Sequence, residues 1–405
     1  LSDNGGVIVT IKTVKDVDWQ GKRAFTRVDF NVPRTEAGEV ADDTKIRAAL
    51  PTISYLLQEG AAVILATHLG RPKGKVKEDL RLNAVAERLQ DLLGVKVIKA
   101  DEVVGPEVER LAQQLQPGQV MLLENVRFHP GEEKNDRHLA QQYAKLADVF
   151  VSDAFGTVHR AHASNSGVAE FLPAVAGFLM QKEIETLTQT LHNAEKPVLA
   201  IVGGSKTADK IGVIKAFLQL ADTILLGGGM ANTFLQAQGC QMGKSLVEAD
   251  QLENARQIMQ TAQELQVELL LPVDVTIAAA VDDAAGAQTV PVDAIPDDKM
   301  ALDIGPETRR LFAERIKQAA TVIWNGPLGV FEVEAFAQGT IAVAQAVAEA
   351  QAFSLIGGGD VVAAVEKAGV ADKISHLSTG GGATLEFWEG KELPGIVVLE
   401  QREET

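Results

Sequence analysis

At 405 residues the chain is too long for one hydrophobic core, so two domains are expected. A net charge of −17, from 38 basic and 55 acidic residues, argues against a nucleic-acid binder, which needs a basic face, but not against a small anion held by a local positive cluster. The lone Cys240 rules out an intrachain disulfide or a cysteine metal site, and no apolar run reaches transmembrane length, so a cytoplasmic protein away from membranes is expected, with a plastid stroma also compatible.

Leu1, in place of an initiator Met, reads as a processed or trimmed start and opens no signal-peptide pattern. From there the pattern is strand, turn, helix, repeated. Strands are expected near 23–32, 61–67, 95–99, 120–124 and 148–152, with helices near 44–58, 82–93, 103–115 and 136–146. Met180, Ile184, Leu187 and Leu191 then share one helical face before Pro197, the pattern of a rigid connector. Beyond it strands are expected near 198–202, 223–227, 267–275, 321–325, 353–357 and 374–377, and helices near 207–220, 248–265, 307–319, 338–350 and 360–368. This alternation predicts an α/β chain of two Rossmann-like three-layer α/β/α domains, with mainly parallel sheets, joined by an interdomain helix. The expected divisions are 1–178, a connecting helix over 179–196, and 197–389, with the turn-rich 390–405 returning to the first domain.

The strand ends of the first half are polar and basic. Asp29-Phe30-Asn31 follows the first strand, with Arg47 at the start of the next helix. His68-Leu69-Gly70-Arg71 follows the second, Asn125-Val-Arg127-Phe-His129 the fourth, and Asp153 through His159-Arg160-Ala-His162 the fifth. In a parallel sheet these turns meet on one edge, where ligands gather. One strand-end arginine is usually a surface residue, but four at successive strand ends predict a basin for a small molecule with more than one anionic group. Asp29 and Asn31 suit a hydroxyl, while His129 and His162 read as structural. The spacing of His159 and His162 lacks the carboxylate partner a zinc site would want.

The strand ends of the second half are rich in glycine and poor in charge, which lets backbone N–H groups and a flat ring approach closely. The apolar run 198–202 leads into Gly203-Gly-Ser-Lys206 and, one turn on, Lys210, a strand–turn–helix anion site in which both ammonium groups can face one ligand. Asp360 opens a helix and suits either a cap or Mg²⁺ shared with nucleotide phosphates. Glu332 could accept from ribose hydroxyls or lie solvated in its turn. The stretch Gly239-Cys-Gln-Met-Gly243-Lys244-Ser245 has three residues between its glycines where a P-loop needs four, and it follows a helical pattern. No dinucleotide fingerprint follows the first strand of either half, which counts against a nicotinamide dehydrogenase.

Taken in order, Arg27-Val-Asp-Phe-Asn-Val-Pro33, His68-Leu-Gly-Arg-Pro72, Glu124-Asn-Val-Arg-Phe128, Asp153-Ala-Phe-Gly156, Gly203-Gly-Ser-Lys206, Gly227-Gly-Gly-Met230, Trp324-Asn-Gly-Pro327, Gly357-Gly-Gly-Asp360 and Ser378-Thr-Gly-Gly-Gly382 resemble the phosphoglycerate kinases from residue 27 to residue 382. The resemblance implies reversible phosphoryl transfer between 1,3-bisphosphoglycerate with ADP and 3-phosphoglycerate with ATP. It implies an acid-substrate site at Asp29, Phe30, Asn31, Arg47, His68, Leu69, Gly70, Arg71, Arg127 and Arg160. It implies a nucleotide site at Lys206, Lys210, Gly228, Asn325, Glu332 and Gly358 to Val361 (Gly359 included), with Asp360 on Mg²⁺ and a monomer as the family expectation. Val361 stands where the family usually has Thr or Ser, so a hydroxyl contact there is lost while the N–H can remain.

Both possible attacking groups, an ADP phosphate and a carboxylate, are ionised at neutral pH, so the chemistry needs alignment and charge stabilisation, not a base. Arg47, Lys206 and the N–H groups around Gly359 and Gly382 are the expected stabilisers. Two sites on two sheets predict closure about the connecting helix. The alternative, a non-catalytic binder of nucleotide and phosphometabolite on the same fold, is disfavoured by retention of Arg47 and Lys206.

Overall fold

The computed structural model describes residues 11–400; residues 1–10 and 401–405, which hold the Leu1 start and the end of the 390–405 piece, lie outside them. The chain divides into two compact units, one running up to Glu185 and resumed from Glu392, the other Thr186–Lys391.

The first unit contains strands β1 (Arg23–Val28), β2 (Ala62–Ala66), β3 (Val97–Lys99), β4 (Val120–Leu122), β5 (Val149–Asp153) and β6 (Ala174–Ala176). They form one sheet in the order β3-β4-β2-β1-β5-β6, parallel at every pairing. Its helices are α1 (Thr44–Gln58), α2 (Asn83–Leu93), α3 (Pro106–Gln114) and α4 (Arg137–Ala144). The sheet is buried on both faces, which is why β2 and β4 read as continuous apolar runs, while β1 carries a buried Thr26 and Arg27. One face packs Val28, Val63 and Leu65 against Ile46, Ile53 and Leu56 of α1 and Val85 and Leu89 of α2. The other packs Phe25, Ile64, Met121 and Phe150 against Val108 of α3 and Leu139 and Tyr143 of α4. The chain leaves β1 towards β2 but re-enters on the other side of β1 with β5, so the carboxyl ends of β1 and β5 flank a topological switch point.

Helix α5 (Phe178–His192) runs through the division between the units. Its start is capped at a distance: the N–H groups of Leu179 and Met180 donate to Asp153 Oδ1 at 3.0 and 3.2 Å, and Phe178 N–H donates to Thr52 Oγ1 at 2.9 Å.

The second unit has β7 (Val198–Val202), β8 (Thr223–Leu226), β9 (Glu268–Leu270), β10 (Asp274–Ala278), β11 (Gln288–Pro291), β12 (Met300–Ile304), β13 (Thr321–Asn325), β14 (Phe353–Gly357) and β15 (His376–Leu377). Its helices are α6 (Ile211–Phe217), α7 (Gly228–Ala237), α8 (Leu252–Glu264), α9 (Pro306–Ile316), α10 (Gln338–Glu349), α11 (Gly359–Lys367) and α12 (Gly382–Trp388). The main sheet has the order β9-β8-β7-β13-β14-β15, the Rossmann order, with its switch point between β7 and β13. Val322, Trp324, Phe312, Val343 and Val365 fill one face, with α9, α10 and α11 covering the sheet. On the other, Phe217 of α6 meets Trp388 of α12 with ring centroids 5.5 Å apart.

Several elements differ from the sequence reading. The expected strand 267–275 is two strands: β9 stays in the parallel sheet, while β10 joins β11 and β12 in a separate antiparallel sheet of order β11-β10-β12. Pro272, between them, ends the first run. Helices α7 and α12 start inside glycine runs that read as loop, and β6 is too short to show a pattern. A last helix, α13 (Pro394–Val397), belongs to the first unit, where Gly395 N–H donates to Val158 O at 2.9 Å.

Candidate active site

In the first unit the ends of β1, β2 and β4 are stitched to one another. Phe30 N–H donates to Thr67 Oγ1 at 2.8 Å, and Asn31 Oδ1 accepts from Gly70 N–H at 2.9 Å. Gly70 O accepts from Arg127 Nη1 at 3.0 Å. Asn125, fully buried, holds both backbone groups of Leu69, its Nδ2 donating to Leu69 O at 2.8 Å and its Oδ1 accepting from Leu69 N–H at 3.2 Å. Phe30 and Leu69 therefore serve the edge as framework: their side chains lie in the core. In the sequence Asn125 stands only within a motif; an amide directly after an apolar strand is the signal that singles it out.

On this edge Asp29, His68 and Arg127 are mostly covered, while Arg71 and Arg160 are exposed. Burial alone would lift the Asp29 carboxyl, but Lys45, whose Nζ sits 2.9 Å from Oδ2, holds it below the usual carboxylate range. Burial pushes the half-buried Arg127 down, partly offset by Glu133 at 3.3 Å from its Nε. His68 is pushed far below an ordinary histidine by burial and by Arg27 beside it.

Arg47 is not in this basin. Its Nε donates to Asp43 Oδ1 at 2.8 Å, and Asp43 Oδ2 also takes Arg88 Nη2 at 2.5 Å. Two residues along a helix are about 200° apart, so α1 turns Lys45 towards Asp29 and Arg47 away from it. Lys45 is the residue that the sequence reading missed.

Histidines 129 and 162 take structural places. His129 Nδ1 accepts from Gly131 N–H at 3.1 Å. His162 is buried, its N–H donates to Asn165 Oδ1 at 2.8 Å, and burial beside Arg27, Arg127 and Arg160 holds its ring down to about 4. Among the described residues no group of three or more His, Cys, Asp or Glu is arranged to hold a metal ion.

In the second unit the turns after β7, β8 and β13 interlock through backbone. Gly203 and Gly204 N–H donate to Asn325 O and Pro327 O, both at 2.8 Å, and Met230 N–H donates to Gly204 O at 3.0 Å. A Cβ on Gly203 would lie 2.2 Å from Pro327 O, so the glycine is required by close backbone approach. Helices α7, α11 and α12 follow the N-cap residues Gly227, Gly358 and Gly381, none with a side-chain cap. In α7 the N–H groups of Gly228 and Met230 are taken by Leu328 O and Gly204 O, while the first turn of α11 leaves its N–H groups for an anion.

Lys206 is exposed in the first turn, and Lys210 is half-buried with its Nζ on Asn325 Oδ1. Burial lowers Lys210, opposed by Asp209, Asp360 and Glu389. Asn325 Nδ2 also donates to Gly357 O at 2.6 Å, so this side chain ties β13 to β14. Glu332 and Asp360 are exposed. Val361 is fully buried in the core, which accounts for its apolar side chain. The stretch Gly239–Ser245 leaves the end of α7 and pairs with the residue before β12, Lys244 N–H donating to Lys299 O at 2.7 Å, which is no phosphate loop.

Residues 14–391 match the family model for phosphoglycerate kinase. The chain belongs to the phosphoglycerate kinase family. It is 60% identical over 390 residues to the phosphoglycerate kinase of Moorella thermoacetica, covering 96% of this chain and 99% of that one. It is 58% identical over 388 residues to that of Pelotomaculum thermopropionicum, covering 96% and 98%. Among solved structures, phosphoglycerate kinase from Coxiella burnetii superposes with a TM-score of 0.86 at 43% identity, covering 96% of this chain and 99% of that chain. The enzyme from Pyrococcus horikoshii does so at 0.84 and 33%, covering 96% and 98%.

The chain is thus a glycolytic phosphotransferase with a carboxyl acceptor, moving a phosphoryl group between 1,3-bisphosphoglycerate with ADP and 3-phosphoglycerate with ATP. This sets aside the non-catalytic binder and the dehydrogenase. Phosphoglycerate kinases work with ATP or ADP and Mg²⁺. Among the described residues no helix is long and apolar enough to cross a membrane.

Proposed function

We propose that the basic edge of the first unit binds the phosphorylated acid and that the glycine turns of the second bind the nucleotide. The observation that carries this is the contrast between two strand edges: Lys45, Arg71, Arg127 and Arg160 on one, and three glycine-capped helix starts with Lys206 and Lys210 on the other. Guanidinium forks suit the phosphate and carboxylate of 3-phosphoglycerate, and Asp29 and Asn31 suit its hydroxyl. First-turn N–H groups of α11 at Gly359, Asp360 and Val361 suit the nucleotide's phosphates, and exposed Glu332 suits its ribose, while the Gly228 N–H is already taken by Leu328 O at 3.1 Å.

Mg²⁺ fits Asp360. A single exposed carboxylate at a helix start is what a phosphate-borne Mg²⁺ asks of a protein, since that ion keeps few protein oxygens. When bound, it would neutralise nucleotide phosphate charge.

The chain's own task is to orient two ionised reactants and stabilise the transferring group. Lys45 from α1 and Lys206 from the β7 turn are the side chains for that, with N–H groups of the turns at Gly359 and Gly382. Arg47 could join only by leaving Asp43. The working organisation is an acid-substrate domain over 1–178, completed by 390–405, a hinge over 179–196 and a nucleotide domain over 197–389 in a cytoplasmic monomer. Closure about the hinge would keep water from the acyl phosphate. Crystals grown with 3-phosphoglycerate and an ATP analogue test the reading: both ligands on one domain, or an empty Lys45–Arg127 basin, would refute it.

A further inference from the structure

Arg27 is a charge that the reaction does not obviously need. It lies 1 % exposed within β1, under the basin. Its Nε donates to Ser164 Oγ at 2.8 Å, its Nη1 donates to Val28 O, and its Nη2 lies 3.2 Å from His68 Nδ1. Ser164 Oγ in turn donates to Glu132 Oε1 at 2.5 Å, and Tyr143 Oη donates to Glu132 Oε2 at 3.3 Å. Glu132 is fully buried. The countercharge of Arg27 is therefore reached through a serine, and one arm of the guanidinium remains for His68.

That arm decides the state of the ring. A guanidinium carries only donors, so His68 Nδ1 must accept, and its one proton sits on Nε2. A second proton would set two cations 3.2 Å apart inside the protein. The other charged groups felt by the ring are Asp29, Arg127 and Lys45; Asp29 favours protonation, but the three cations and burial oppose it.

We propose that Arg27 is a positioning residue that fixes His68 as the neutral Nε2–H tautomer, so that His68 meets the anionic substrate as a hydrogen-bond donor and not as a positive charge. This rests on the acid site proposed above. It makes the basin less positive than its residue list suggests, and it explains a buried arginine whose contacts all lie behind the site.

The test is long-range ¹H–¹⁵N NMR of histidine-labelled full-length enzyme, with the His68 signal assigned by its loss in His68→Gln. Wild type should show an unprotonated Nδ1, a protonated Nε2 and no titration from pH 5.5 to 8. A doubly protonated ring at pH 7, or an Nδ1–H tautomer, overturns the proposal. Arg27→Lys keeps a charge but cannot reach Ser164, Val28 and His68 together, so it should mix the tautomers; an unchanged His68 spectrum in a folded Arg27→Lys enzyme also overturns it. In kinetics, His68→Gln, whose amide nitrogen can stand in for Nε2, should keep the KM for 3-phosphoglycerate within about fivefold, while His68→Asn should raise it about tenfold or more with less change in kcat. Equal losses in the two variants would refute the donor role. Failure of the acid-site reading has its own signature: the tautomer is as stated but the His68 signals do not move on adding 3-phosphoglycerate.

Discussion

Lys45 Nζ stands 2.9 Å from Asp29 Oδ2, whereas Arg47, two residues on along the same helix, is bound to Asp43 at 2.8 Å. The two cations open the same helix and are chemically interchangeable by sequence. Only Lys45 shares an edge with the strand-end arginines.

Lys45→Ala should therefore cost about 10²-fold or more in single-turnover phosphoryl transfer, the scale expected for losing a cation from a transferring phosphoryl group. Arg47→Ala, which breaks an ion pair with a side chain 55% exposed, should stay within about threefold. Lys45→Arg should recover most of the activity. The reverse ranking of the two alanine variants would return the role to Arg47.

The interlocked turns of the second unit make a structural prediction. A Cβ on Gly228 would lie 2.8 Å from both Gly204 O and Pro327 O, and its φ is +69°. Gly228→Ala should lower the thermal midpoint, with a cost of about 1–3 kcal/mol, and raise the KM for ATP more than that for 3-phosphoglycerate. Gly369→Ala, at φ +70° in open space, controls for backbone strain alone and should leave the KM for ATP unchanged.

What the sequence disclosed follows from which interactions are local. Runs such as Val198–Val202 and Thr321–Asn325 are buried on both faces, so their composition announces them, and parallel alternation follows from the helices between. The glycine turns are equally legible, because close backbone approach demands glycine whatever lies opposite. The direction of a side chain is not local. Choosing Lys45 over Arg47 needs the position of Asp29, which comes from β1, and neither residue's type records it. Helices α7 and α12 hid for a related reason: their glycine starts weaken helix propensity, and burial of residues such as Met230, Phe234 and Trp388 supplies the stability instead. Val361 shows the limit of reading by motif, since its neighbour Asp360 is exposed while its own side chain is core.

Asp153 links acidity to the start of helix α5. It is fully buried, and burial raises it from the ordinary 3.8 to about 7 even though the N–H groups of Leu179 and Met180 favour its charge. Because the folded value is raised, the contribution to stability is fully present below about pH 4 and is lost as the pH climbs towards 7. The full displacement corresponds to about 4 kcal/mol. Asp153→Asn keeps an oxygen for the two N–H groups and removes the titration. Urea midpoints measured at pH 5 and pH 8 should differ less in this variant than in wild type, and the variant should gain relative stability at pH 8. Asp303, raised to about 7 by burial, titrates in the same window and leaves a residual slope in both proteins.

The last prediction concerns motion. If the acid is held on the first unit and the nucleotide on the second, reaction requires the ligands to meet, and the segment joining the units is α5, whose first turn hangs on Asp153 and Thr52. Small-angle scattering should report a smaller radius of gyration with 3-phosphoglycerate and an ATP analogue together than with either alone. Each ligand completes half of the charge balance, so one by itself leaves uncompensated cations or phosphates facing water and gives little reason to close. Lys45→Ala should bind both ligands yet compact less, because the cation that α1 would bring to the transferring group is gone. Compaction by one ligand to the full extent, or undiminished compaction in Lys45→Ala, would separate closure from that charge and leave the helix as a spacer.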